Sequence, residues 1–413
     1  MHQAGSTTLD GAGYGYDFAG NRTSKTNYLN GITSNYGYDA IYELQQVTQG
    51  GSTTESYSYD AVGNRLSSLG VNPYSYNASN ELTATPSGSY TYDNNGNTLN
   101  NARGKTYTWD FENRLVPGTG TVAFKYDPFG RRIQKSSPLG TTNYLYDGAD
   151  LLEEIDSSGN VLARYTHGRG VDQPLSMLRG GTNAYYLSDG IRSITSLSNS
   201  AGALANTYTY DSFGKLTTST GTLTNPFQFT AREFDQESGI YYYRARYYDP
   251  QIGRFASEDP ARFFAGSNFY DYVLNNPTDL VDPTGKFWIH PHGNWCGPDW
   301  TGGHTEMYDP AHDMSGPSGP YYNGPIDYTD SVCKDHDICY YDCRRDHKCD
   351  KGSRRNCMRQ CDGNLIYELT YFPGRFGGAV DATAGMIVTG GIAVNELHPN
   401  AGDNDKSCPN CQK

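Results

Sequence analysis

Aromatic and small polar residues alternate along most of the first 285 positions, in short runs that end at an Asp-x-x-Gly-Asn pentad or a close variant. "YSYDAVGNRLSSL" at 57–69 shows the unit, which returns from positions 14, 90, 107, 124 and 208 and more loosely from Tyr36, Tyr74 and Tyr144. The spacing is about 16 to 24 residues, short enough that each unit is one supersecondary element. Each predicts a hairpin: an alternating strand, a turn supplied by residues such as Asp60 and Gly63, and a second strand such as "RLSSL". In Tyr57-Ser58-Tyr59 the period of two puts both rings on one face, where they are expected to stack on the rings of the next hairpin. One hairpin cannot bury its face alone, so the units should join into a continuous winding sheet, an all-β region over 1–238.

After residue 286 the pattern changes period. "TDSVCKDHDICYYDC" at 329–343 contains no Gly or Pro and predicts a helix, with Cys333, His336, Asp337, Tyr340 and Cys343 inside an arc of about 120° and Cys339 beside it. "NCMRQCDGNLIYEL" at 356–369 predicts a second helix with Cys357, Cys361 and Asp362 on one stripe. Antiparallel packing of the two sets Cys339 against Cys361 and Cys343 against Cys357, so two disulfides would staple the pair and bring Asp362 towards His336. The competing arrangement is a zinc site of His336, Cys339, Cys343, His347 and Cys349. Structural zinc favours paired C-x2-C knuckles, and "CPNC" at 408–411 has no such mate.

Composition sharpens the same break. All nine cysteines and seven of the nine histidines follow residue 286. The net charge of −13 is spread over both halves, and neither has the basic excess that phosphate contacts use. That balance predicts no nucleic-acid partner. Low hydropathy with many aromatics points to a folded β protein rather than a disordered chain. The N-terminus "MHQAGSTTLD" has no basic and apolar signal pattern, and "FGGAVDATAGMIVTGGIAV" at 376–394 is interrupted by Asp381, so neither a signal peptide nor a transmembrane helix is expected.

The repeats, together with "GIYYYRARYYDPQIGRFASEDP" at 239–260 and "GSNFYDYVLNNPTDLVDPTG" at 266–285, resemble the YD-repeat (RHS) family and its C-terminal core signature. The resemblance implies a repeat sheet that forms a shell around a toxin encoded after it, with self-cleavage at the end of the signature. It places the signature at 239–285 and the cut just after "DPTG", near Lys286 and Phe287. The reaction would be of aspartyl type, with Asp259 and Asp282 sharing the acid and base roles and Arg254 lowering one of their pKa values. About 285 residues is short for a closed shell, so a partial shell, a piece of a longer protein, is expected.

The tail over 287–413 resembles the secreted phospholipase A2 family. "CKDHDICY" at 333–340 is similar to that family's C-x-x-H-D-x-C-Y signature, "WCGPDWTGG" at 295–303 to its calcium loop, and "CD" at 361–362 to its second-helix pair. The resemblance implies His336 as general base, Asp362 orienting it and Tyr340 holding Asp362. It implies Ca2+ bound by Asp337 and the carbonyls of Trp295, Gly297 and Asp299, with the Gly297 N–H completing an oxyanion site. Asp299 stands where the family has glycine, and Val332 where many members have a second cysteine. Cys296 would bridge Cys333, leaving Cys349, Cys408 and Cys411, of which the last two can close on each other.

Together these readings predict a multidomain chain: an all-β YD-repeat hairpin sheet, then a small, mainly α, disulfide-rich domain. They predict a calcium-dependent phospholipase A2 toxin whose substrate is a phospholipid membrane surface. Its partners would be a cognate immunity protein and the remainder of the shell or a delivery machinery, and its place of action the outside or the periplasm of a target cell. The rival expectation is a non-enzymatic adhesion protein with a structural disulfide or zinc cap.

Overall fold

The computed structural model describes residues 2–4, 7–17, 19–116, 122–138, 140–168, 170–262 and 266–286. The chain divides into two units, and the one considered below comprises Met1–Gly15 with Arg22–Trp288, within those described residues. Among the described residues there are antiparallel strands and short 3-10 turns but no α-helix. The helices expected at 329–343 and 356–369 lie outside them.

In each sheet the strand order follows the chain. Six strands between residues 12 and 68 form one sheet, and smaller two- and three-stranded pieces follow to residue 116. A ten-stranded meander runs from Ala123–Tyr126 to Leu216–Thr220, and a four-stranded sheet from Glu233–Asp235 to Arg254–Phe255 closes the described region. Sequential hairpin pairing is what the repeated turn chemistry dictates, because each five-residue loop returns the chain directly beside itself.

The turn works through its aspartate. Asp60 Oδ1 accepts the N–H groups of Val62 and Asn64 at 3.0 and 2.9 Å, while Oδ2 accepts the Asn64 side-chain amide at 3.0 Å. Gly63 donates to the Asp60 carbonyl at 3.0 Å and lies at φ +80°, the left-handed region where a Cβ is penalised. Asp93 repeats the pattern on Asn95 and Asn97, Asp127 on Phe129 and Arg131, and Asp211 on Phe213 and Lys215. A local side-chain acceptor thus satisfies turn amides that no ladder partner reaches.

Successive hairpins are joined by hydroxyls rather than by stacked rings. In five doublets the second aromatic donates to a carbonyl just past the preceding turn: Tyr38 to Arg22 at 2.7 Å, Tyr59 to Leu44 at 2.9 Å, Tyr76 to Arg65 at 2.7 Å, Tyr126 to Leu115 at 2.8 Å and Tyr210 to Ile194 at 3.0 Å. Trp109 does the same through Nε1 to Thr98 at 2.7 Å. The ring contacts instead run to distant segments: Tyr57 meets Phe213, Tyr92 meets Tyr270, and Trp109 and Phe124 both meet Tyr247. The expected next-hairpin stacking is corrected accordingly. A tyrosine hydroxyl buried beside a strand needs an acceptor, and the adjacent repeat's backbone offers one.

The core is made by the closing segment. Tyr241, Tyr243, Tyr248, Tyr270 and Tyr272 are fully buried. Their hydroxyls and nearby amides reach the turns of the repeats: Asn275 donates to the Gly63 carbonyl at 2.8 Å, Asn268 to the Asn64 side chain at 3.0 Å, Tyr270 to Gly96 at 2.8 Å, Tyr248 to Phe213 at 2.7 Å and Tyr241 to Gly214 at 3.1 Å. At the far end the Arg22 amide donates to the Asp279 carboxylate at 3.1 Å. One segment of about fifty residues therefore caps turns from most of the chain before it, satisfying carbonyls that the hairpins leave open.

Candidate functional site

The site forms where the chain leaves this cap. Ile240–Tyr243 pairs with Arg246–Asp249 through the two-residue loop Arg244-Ala245, with Arg244 at φ +59° as so tight a hairpin requires. Arg246 opens the second strand, which is buried throughout, and is itself 4 % exposed. Its Nη2 lies 2.7 Å from Asp259 Oδ2 and 3.0 Å from Asp282 Oδ2. Its Nε donates to the Gly285 carbonyl at 2.5 Å and its Nη1 to the Phe269 carbonyl at 3.2 Å. The guanidinium plane rests on Phe255, 3.4 Å from the ring centroid, which fixes its orientation.

Asp282 faces the same peptide from the other side. Its Oδ1 accepts the Gly285 and Lys286 N–H groups at 2.8 and 3.2 Å. The peptide joining Gly285 to Lys286 thus has its carbonyl on Arg246 and its N–H on Asp282. Gly285 lies at φ +69°, and a Cβ there would collide with the Tyr243 carbonyl and crowd the Arg246 amide. Glycine is required by the closeness of the hairpin.

The two carboxyls are both about 3 % exposed and share one cation. Burial pushes Asp259 up to about 6 against the pull of Arg246, with Asp282 adding to the rise. Burial likewise raises Asp282 above the ordinary carboxylate range, opposed by Arg246. A single guanidinium neutralises one carboxylate, so the second keeps its proton more readily than it would in water. A third carboxyl, Asp271, is pushed up to about 7 by desolvation. One ionised and one protonated carboxyl beside a polarised carbonyl is the equipment of general acid–base hydrolysis.

The structure brings together Asp259 and Asp282 but not Arg254. Arg254 donates to the Asn80 carbonyl at 2.6 Å and lies over the Tyr76 and Tyr270 rings, so it fastens a repeat turn. The arginine of the pair is Arg246. The sequence carried no local signal for it, since all of Arg246–Asp249 is buried and Arg254 is buried as well.

The remaining sequence-derived candidates, His336, Asp362, Tyr340, Asp337, Trp295, Gly297, Asp299, the three cysteine pairs Cys296–Cys333, Cys339–Cys361 and Cys343–Cys357, and the alternative zinc set, lie outside the described residues. Among the described residues no group of His, Cys, Asp and Glu is arranged to hold a metal ion, and no helix is long and apolar enough to cross a membrane.

Comparison with known proteins completes the description. The teneurin YD-shell family matches residues 12–278. The tRNA3(Ser)-specific nuclease WapA of Bacillus spizizenii is 36% identical over 288 residues, 67% of this chain and 11% of that protein. The double-stranded DNA deaminase toxin A of Burkholderia cenocepacia is 25% identical over 357 residues, 75% of this chain and 24% of that protein. The crystal structure of TcdB2-TccC3-Cdc42 superposes with a TM-score of 0.56 at 21% identity, covering 67% of this chain and 17% of that one, a likeness of fold. The chain thus spans about a tenth to a quarter of the length of these curated relatives.

These relatives overturn the phospholipase A2 expectation and, with it, the phospholipid substrate and the exclusion of nucleic acid: the activities they carry are directed at tRNA and DNA. The adhesion reading fares no better beside enzymatic toxins. Net charge is no ground for the exclusion, because it sums a whole half of the chain and phosphate is met by local charge.

Proposed function

The chain belongs to the teneurin YD-shell family and carries the shell domain of a polymorphic toxin, and from that premise we propose that it cuts itself after Gly285 to release the segment beyond. The observation that carries this reading is Arg246 holding Asp259, Asp282 and the Gly285 carbonyl on one guanidinium. Water adds to the Gly285 carbonyl carbon while the ionised carboxyl takes its proton. The protonated carboxyl supplies the proton that the Lys286 nitrogen needs to leave. The products are a Gly285 carboxylate and a free Lys286 amine, and Arg246 stabilises the charge that develops on the oxygen.

The named activities of the relatives support an enzymatic toxin of the nuclease or deaminase class, with a nucleic acid as target. A cognate immunity protein and the rest of a longer shell are its expected partners, and delivery to a target cell its route.

Intact mass of the purified full chain tests the cut. Wild type should yield two fragments whose masses meet at Gly285, and Asp282→Asn or Asp259→Asn should leave one uncut chain, a loss of at least about 100-fold in rate. An uncut wild type at pH 5 to 7 would refute self-cleavage. Incubating the released fragment with tRNA and with double-stranded DNA then distinguishes strand scission from base deamination.

A further inference from the structure

Arg246 and Asp282 alone do not determine which bond is presented. Asp282 Oδ1 reaches two successive amides, those of Gly285 and Lys286, so a one-residue slip of the chain would still leave it a partner. The preceding hairpin loop supplies what is missing. Three consecutive carbonyls are taken in order: Pro283 by the Arg244 guanidinium, Thr284 by the Ala245 amide at 3.2 Å and Gly285 by Arg246 at 2.5 Å.

Arg244 touches neither Gly285 nor the two carboxyls, yet it is braced in its own right. Its Nη2 lies 2.7 Å from Asp172 Oδ1 and its Nη1 donates to Asp172 Oδ2 at 3.3 Å, a forked pairing. Asp172 is 8 % exposed and also holds Arg232 at 2.5 Å, which in turn is held by Glu233 at 2.6 Å and the Tyr242 carbonyl at 3.2 Å. The Arg244 fork is therefore anchored on the ten-stranded meander's side of the molecule through Asp172, while its tip grips the segment that enters the site.

Resting on the self-cleavage proposed above, we infer that Arg244 is a positioning residue which, braced by Asp172, sets the register of the cut by pinning the Pro283 carbonyl. Both groups act through the 283–285 backbone. Removing the pin frees the strand to slide past the carboxyls without disturbing the carboxyls themselves.

The test is time-resolved cleavage of the full chain, with the new N-termini identified by mass spectrometry, for wild type, Arg244→Ala, Arg244→Lys and Asp172→Asn. Wild type should give one terminus. Arg244→Ala should cut about 10- to 100-fold more slowly, the scale of an ångström's misplacement, and yield two or more neighbouring termini, with the pH of half-maximal rate unchanged. Asp172→Asn should do the same to a smaller degree, and Arg244→Lys should recover part of the rate. A single wild-type terminus from Arg244→Ala, whether formed at the normal rate or slowly, overturns the inference. Should Arg244→Ala fail to fold, the termini of Arg244→Lys decide: mixed termini support the register role and a single terminus overturns it. An uncut wild type refutes the cleavage reading, which separates the two failures.

Discussion

The repeat hairpins and the closing segment use the same residues to opposite ends. In the hairpins, tyrosine and aspartate act locally: an Asp closes its own turn, and a Tyr hydroxyl reaches one repeat back. In the closing segment they act at a distance: Tyr270 reaches Gly96, and Asp279 receives the amide of Arg22. Local chemistry makes each hairpin nearly self-sufficient. Distant chemistry makes the segment from about 227 to 285 depend on all of them, and the paired carboxyls sit at its end.

The comparison can be broken first with glycine. Gly285→Ala should abolish cleavage, by about 100-fold or more, because the added Cβ displaces the carbonyl that Arg246 holds. Gly148→Ala, at φ +55° with open space around it, should leave the cut intact and cost only about 1 kcal/mol of folding stability. Fragment yield and urea titration of both variants measure the contrast, and equal loss of cleavage would mean that the site answers to general destabilisation.

pH separates particular carboxyls of the two regions next, because Asp259 and Asp271 are shifted upward whereas the turn carboxyl of Asp127 is shifted downward. The closing segment's Asp259 and Asp271 have folded values of about 6 and about 7, above the unfolded range near 4. Their contribution to stability is full below about pH 4 and is lost as pH rises through 6 to 7. The turn carboxyl of Asp127 is held below its ordinary value, against burial, by the Arg131 side chain and the turn amides. Its contribution is full above about pH 4 and is lost only as pH falls through that depressed value. Hydrogen exchange, corrected for intrinsic rate, should therefore show amides of 240–285 better protected at pH 5 than at pH 8, with those of 123–137 unchanged between them. Cleavage should decline over the same rise, as the Asp259–Asp282 pair loses the proton it shares.

The smallest effect is expected from paired hydroxyl deletions. Tyr270→Phe removes a fully buried hydrogen bond to the Gly96 carbonyl, and Tyr59→Phe a half-buried one to Leu44. Each should cost about 1 to 2 kcal/mol. Tyr270→Phe should in addition slow the cut, whereas Tyr59→Phe should not.

What could be read from sequence follows the same division. The Asp-x-x-Gly-Asn turn is legible because its hydrogen bonds join residues two to four apart, and the hairpin order followed from it. The partner of each ring was not legible, since Tyr57 meets Phe213 across more than 150 intervening positions. Asp259 and Asp282 are legible through a long motif in which they make two of the three Asp-Pro pairs. Arg246 is not distinguishable from Arg254 in the sequence because four arginines fall within 244–262 and both of these are buried; which one meets the carboxyls depends on distant packing. The acidic net charge does not exclude a nucleic-acid target, because a sum over a hundred residues hides where the charges sit.

The bond from the Arg22 amide to Asp279 spans 257 positions, and it bears on time as well as on stability. A chain made from its N-terminus leaves the turn carbonyls of Gly63, Gly96, Phe213 and Gly214 open to water until the closing segment has left the ribosome, so the described fold is completed by its last-made part. Cleavage chemistry placed at that end cannot begin while the earlier hairpins are unfinished. For the cleavage proposed above, the position of the site in the sequence would work as a clock, delaying the cut until there is a finished structure for it to leave behind.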